Sequence, residues 1–277
     1  MSNLLSAGFI RLWRSKIFWF SCILLAAATI MSILSRYFDG IQSGYHYGID
    51  SAFMYYVIFI AVLIPIVCTM FIGVEYADGT IRNKLISGHG KGSVYLSNLI
   101  LCSVASLIMC TSAVVPGLCV GIPLLGEFAM GWSRAILFFA GVYALSLAWT
   151  ALFTLLSMLV SNRAISAVAA MLLSLSLLAV GTYLEGRLEA EPTIQGYTIT
   201  VGGEVVEAEK FPNPSYLSEG LLRNTVQFLC DFTPGGQTLQ HVTQTAAHPE
   251  LMIVYDTVIF LTATAVGLFL FKRKDVK

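Results

Sequence analysis

Six long apolar runs dominate this chain of 277 residues: Ile17–Ser35, Ala52–Val74, Val94–Gly126, Ala135–Val160, Ala164–Leu184 and Leu251–Phe271. A helix of about 20 apolar residues crosses the hydrocarbon core of a bilayer, so each run is read as one crossing. None carries a charge at its middle, and Asp256 stands in the outer turns of the sixth. Only 12% of the residues are charged, against roughly 25% in a soluble domain, which is too few to clothe these runs in water. That excludes an ordinary cytosolic enzyme and a disordered chain. A net charge of 0 excludes a basic nucleic-acid-binding domain. The expected fold is an all-α polytopic membrane protein. It has six transmembrane helices, an N-terminal interfacial helix and a small α+β extracellular insertion between helices five and six. Residues 1–184 hold the interfacial helix and the first five spans, 185–250 the extracellular region, and 251–277 the sixth span and tail.

The third run is longer than one crossing needs. Pro116, Gly117, Gly121 and Pro123 interrupt its second half, so a kink or break is expected near Pro116, with the remainder at the interface. Five of the six cysteines lie in apolar runs, where a thiol packs as a small hydrophobe, and no metal or disulfide framework follows.

Lys and Arg in short loops set orientation. With six spans, both termini share a side. That side holds 11 of the basic residues and the other side 5, so both termini are expected in the cytoplasm of a cell-membrane protein. Residues 3–15 place Leu4, Leu5, Phe9, Leu12 and Trp13 on one helical face and Arg11 and Arg14 opposite. The expected arrangement is a helix lying in the interface, its basic face toward lipid head groups.

The polar stretch from Gly73 to Gly88 follows the second span directly. Ala77, Ile81 and Leu85 make a narrow apolar stripe, Gly88 is a natural stop, and Ser93 is a candidate cap for the next span. A short amphipathic helix is therefore expected, with Glu75, Asp78, Arg82, Asn83 and Lys84 on its solvent face, suited to charge-assisted contacts with a protein or to plain solvation.

Glu75–Tyr76 followed by Gly79–Thr80–Ile81–Arg82–Asn83 resembles the signature of ABC-2 type permeases, the membrane subunits of one class of ATP-binding-cassette exporter. The interfacial helix, six spans, long outer loop and charged end Phe271–Asp275 are similar as well. The outer stretches Asn213–Ser218 and Asp231–Gln237 resemble permeases that export peptides, lantibiotics or bacitracin. The resemblance implies that the short helix is a coupling helix. Glu75, Tyr76, Asp78, Gly79, Thr80, Arg82 and Asn83 would then contact an ATPase. It implies two copies of an ABC ATP-binding subunit and a second permease, the same chain or a homologue, beside the membrane lipids. No nucleic acid is implied. No cofactor is expected on this chain, ATP and Mg lying on the partner ATPase.

The residues themselves show no ATP site. A P-loop needs Gly, four residues, then Gly–Lys–Ser/Thr, and Gly88–His89–Gly90–Lys91–Gly92–Ser93 does not fit, reading instead as a flexible basic loop. No carboxylate or histidine is placed at mid-depth in a span, which argues against a proton relay, and His46, His89, His241 and His248 read as surface residues. Thr193–Val201, Gly202–Gly203 and Glu204–Phe211 spell a β-hairpin. Tyr216–Cys230 and Gln237–Ala247 read as amphipathic helices packed on the outer mouth. Leu217, Leu221, Leu222 and Val226 are their gate candidates, the alternative role being a solubilising cap. The chain is thus expected to be a non-catalytic permease subunit that exports an amphiphilic cargo. Two alternatives stand beside it: an ATPase-independent channel or sensor with an outer ligand-binding region, and a sodium-efflux permease.

Overall fold

The computed structural model describes residues 2–195, 199–201, 204–206 and 210–275. Six of its helical segments are long and apolar enough to cross a membrane, so the chain is a multi-pass membrane protein. They are α2 (Lys16–Ser43), α3 with α4 (Asp50–Phe53, Tyr56–Ala77), α6 (Lys91–Leu125), α7 (Trp132–Leu159), α8 (Arg163–Leu188) and α11 (Pro249–Arg273). Shorter helices are α1 (Ser2–Trp13), α5 (Thr80–Ile86), α9 (Leu221–Phe232) and α10 (Pro234–Thr243).

Local chemistry sets these boundaries. Ser15 caps α2 by accepting the Phe18 N–H at 3.4 Å, which turns the chain sharply after α1. Gly44, at φ 69°, ends α2 in the left-handed conformation that glycine adopts without strain. Asn162 starts α8 by accepting the N–H groups of Ala164 and Ile165 at 2.9 and 3.1 Å. Gly88, at φ 89°, follows the last turn of α5 as its sequence position requires.

The core lies between α4, α6 and α7, whose inward side chains include Ile60, Cys68, Ile72, Cys102, Met109, Trp149 and Phe153. Around it, α2 packs on α6, α8 on α4, and α11 on α7. The outer helices expose Met31, Ile165, Leu175, Leu261 and Phe269, a surface suited to lipid. Span hydroxyls bond mainly within and between helices. Ser112 donates to the Cys22 carbonyl at 3.2 Å and Ser174 to the Ala61 carbonyl at 2.6 Å.

The third span corrects the expected break and the expected cap. It is continuous through Pro116 to Leu125. Gly117 and Gly121 lie tightly against Thr29, Phe53 and Ile49, and a span packed in this way keeps its helix despite a missing N–H. Ser93 does not cap it. The N-cap is Gly90, so Lys91, Gly92 and Ser93 belong to the first turn rather than to a flexible loop.

In the insertion, β1 (Thr193–Gln195) pairs antiparallel with β4 (Lys210–Pro212), and β2 (Ile199–Val201) with β3 (Glu204–Val206). Val201 faces Glu204, the register that a two-residue turn sets, although Gly202 and Gly203 lie outside the described residues.

Candidate functional site

Two polar assemblies stand at opposite ends of the bundle. One is at the end that carries both termini. Gly79, at φ 67°, breaks the helix between α4 and α5 and lets the chain fold back beneath the spans. The face of α5 toward the bundle buries Ile81 and half-buries Leu85, whereas Ala77, expected in the same stripe, is exposed because it belongs to the end of α4. Asp78, Arg82 and Asn83 are exposed as expected. Ile86, at 73% exposure, stands beside them and is not a residue that the sequence pattern singles out. Gly79 and Thr80 are half-buried in the turn.

Glu75 is not on the solvent face. It is 1% exposed and fully partnered. One oxygen accepts from Arg11 of α1 at 2.5 Å and from Lys84 of α5, and the other accepts from Asn98 of α6 at 2.9 Å. A carboxylate this deep persists only when paired, and here it ties three elements to α4. Arg11 therefore turns inward, correcting the outward basic face expected of α1. Its guanidinium also lies 3.9 Å from the Phe71 ring centroid.

Tyr76 is the neighbouring link. Its hydroxyl donates to the Met158 carbonyl at 2.6 Å, and the Lys274 ammonium donates to both the Tyr76 hydroxyl and the Met158 carbonyl at 2.9 Å. Lys91 donates to the Lys274 carbonyl at 2.6 Å, so the C-terminal segment is held across the base of α4, α6 and α7. Burial lowers the Lys274 amine from its usual 10.5 to about 8. A lysine whose folded value is depressed disfavours the folded state while charged. Stability should therefore rise with pH between about 8 and 10.5 and lose this dependence below 8. Melting curves of the purified protein in detergent should show that rise, and Lys274→Gln should flatten it. Superimposable profiles would exclude the effect.

The other assembly lies at the opposite end. Gln237–Ala247 was expected on the outer mouth, but the helix there, α10, spans Pro234–Thr243 and is inserted among the spans. Thr233 and Pro234 make the reversal from α9 to α10, with the Thr233 hydroxyl accepting the Gly236 N–H at 3.3 Å. The tip reaches the middle of α8, where a side chain on Gly235 would overlap the Leu177 carbonyl oxygen. Thr238 lies 3.4 Å from the Trp149 indole nitrogen of α7. The α9–α10 pair is thus a re-entrant hairpin.

It carries polar groups inward. Gln237, Thr238, Gln240 and His241 are all buried, so His241 is not a surface residue as expected. Glu185 accepts from Thr243 at 3.1 Å, from Thr245 and from Cys230. Asp231 accepts from Gln227 at 2.7 Å and Gln240 at 2.8 Å. Asp256 is 1% exposed, and neither of its oxygens has a hydrogen-bond partner among the described residues. Buried carboxylates therefore do lie within this bundle, although no group of three or more His, Cys, Asp or Glu converges as a metal site among the described residues.

The gate candidates do not form one packed face. Leu217 is buried in the loop before α9, which begins only at Leu221. Val226 packs beside Leu184, Leu188 and Cys230, but Leu221 and Leu222 are 85% and 64% exposed.

The sequence model of a family described as ABC-2 family transporter protein matches residues 4–181. That range covers α1, the first four spans, α5 and most of the fifth span. No curated protein matches the chain.

Proposed function

The chain belongs to the ABC-2 family of transporter proteins, and from that membership we propose that it is the permease subunit of an ATP-driven exporter whose α5 docks on the ATPase. The observation that carries the docking role is the division of labour around α5. Its inner face is anchored through Ile81 and the Lys84–Glu75 pair, and its outer face leaves Arg82, Asn83 and Ile86 without a packing role among the described residues. An anchored helix with a free polar face and one free apolar side chain suits transmission of force from a soluble subunit. Glu75 acts behind it, holding α5 to α1 and α6. Both termini would then be cytoplasmic, in keeping with the excess of Lys and Arg at that end.

A second permease copy would complete the path. The groove between α4 and α8 is lined almost wholly by apolar side chains, including Ile66, Met70, Val168 and Leu172, and measures about 370 Å³. Two such walls face to face suit an amphiphilic cargo, a peptide or a drug-like molecule. ATP and Mg would be held by two ATPase subunits, leaving this chain non-catalytic.

The test is co-purification from native membranes in mild detergent, followed by vanadate-sensitive ATP hydrolysis. Arg82→Glu with Ile86→Asp should leave the permease folded and membrane-inserted and remove most of the associated ATPase activity. If Arg82 forms a buried, hydrogen-bonded charge pair with the ATPase, losing it costs about 2–5 kcal/mol of docking. Full ATPase recovery with the double variant would reject α5 as the docking element.

A further inference from the structure

We infer that the recess between α1, the start of α2 and α4 is a binding site for one anionic phospholipid of the leaflet on the side of the termini. This cavity of about 220 Å³ is lined by Arg11, Arg14 and Ser15 on its polar side and by Val67, Phe71 and Val74 on its apolar side.

The guanidinium of Arg11 carries the assignment. Its Nη1 is committed to Glu75, but Nε and Nη2 are buried with no hydrogen-bond partner among the described residues. Those two N–H groups form the edge of the guanidinium that meets two oxygens of a phosphate or carboxylate side by side. Buried donors left open in this way are costly, and an anion in the recess that Arg11 lines removes the cost once the guanidinium turns to meet it. Arg14, just past the end of α1, adds a second cation, and Ser15, the N-cap of α2, lines the same recess. Among the described residues the carboxylate paired with this group is Glu75, and it is already shared between Arg11 and Lys84.

Depth identifies the ligand as a lipid. Trp13 and Trp19 stack with ring centroids 5.5 Å apart, and the Trp19 indole donates to the Trp13 carbonyl at 2.9 Å. Both are about half-exposed, as expected of aromatic anchors at head-group level. The cations thus lie at head-group depth, and Val67, Phe71 and Val74 continue along α4 toward the bilayer centre, where an acyl chain runs. A free phosphate would use the cations and leave that apolar wall idle. The inference requires only the six-span topology and stands or falls independently of ATPase docking.

The experiment uses the intact protein in vesicles of phosphatidylcholine with a minor fraction of phosphatidylglycerol. After mild extraction, native mass spectrometry reads the retained lipid. The wild type should retain phosphatidylglycerol in preference to phosphatidylcholine. Arg11→Lys keeps the ion pair with Glu75 but loses the fork, and Arg14→Gln alters only an exposed cation. Each should lower phosphatidylglycerol retention by about tenfold, the loss of one charge-assisted contact, and Arg14→Gln, which lies outside the Glu75 node, should do so with unchanged melting behaviour. Millimolar inorganic phosphate should not displace the lipid, and a photo-reactive residue in place of Ile17 should capture lipid. Equal retention of the two lipids, unaltered retention in both variants, displacement by inorganic phosphate, or capture of a second protein chain at position 17 would each overturn the assignment.

Discussion

Glu75→Gln is expected to destabilise the protein strongly, before any effect on a partner is considered. The substitution preserves shape and removes one negative charge, leaving Arg11 and Lys84 as two cations against a neutral amide in a site that is 1% exposed at the carboxyl. Breaking a buried pair by removing one member costs about 3–5 kcal/mol, because the remaining charge stays desolvated. Thermal unfolding in detergent should show a large drop. Arg11→Met introduced together with Glu75→Gln should recover part of the loss, since the two residues are directly coupled. A Glu75→Gln protein that melts with the wild type would show that the node is not structural. The same measurement on Arg82→Glu should show little change, because that side chain is exposed.

Gly235→Val is expected to expel the re-entrant hairpin. A Cβ at this position overlaps both the oxygen and the carbon of the Leu177 carbonyl, backbone atoms that cannot rotate away. From the other side, a Cβ on Gly181 of α8 would overlap the Gly235 carbonyl carbon. Overpacking a well-filled site costs about 1–3 kcal/mol when side chains can yield, and a backbone obstacle belongs at or beyond the upper end. With α10 unseated, Gln237, Gln240 and His241 lose their buried places and Cys230 becomes accessible. In a background that keeps Cys230 as the sole cysteine, maleimide labelling should be negligible while Gly235 is intact and extensive once Gly235→Val is introduced. Equal protection of the thiol in both would show that the hairpin tolerates the side chain.

The contrast between these two regions explains what was legible in the sequence. The six spans follow from apolar length alone, so their number and approximate limits could be read directly. The exposed Asp78, Arg82 and Asn83 were legible from local composition too, whereas the break at Gly79, which takes Ala77 out of the expected stripe, was not. Glu75 was misplaced because its three partners lie 64, 9 and 23 residues away, and no local period records them. His241 and Gln237 were misplaced for a different reason. A polar stretch after a span reads as solvated, and only the small residues Gly235 and Gly181, which let α10 and α8 touch backbone to backbone, signal that it descends among the helices. Glycines in an outer loop are usually turn residues, so that signal was present but ambiguous.

The length of α6 has a mechanical consequence. At 1.5 Å per residue its 35 residues make a rod of about 52 Å, far longer than the ~30 Å hydrocarbon core it crosses. Near its first turns Asn98 grips the Glu75 carboxylate, and near its last turns Gly121 presses on Ile49 at the far side of the bundle. One continuous helix thus joins the Glu75 node, to which Lys84 of α5 is tied, to the packing of Gly121 against Ile49 at the other end of the bundle.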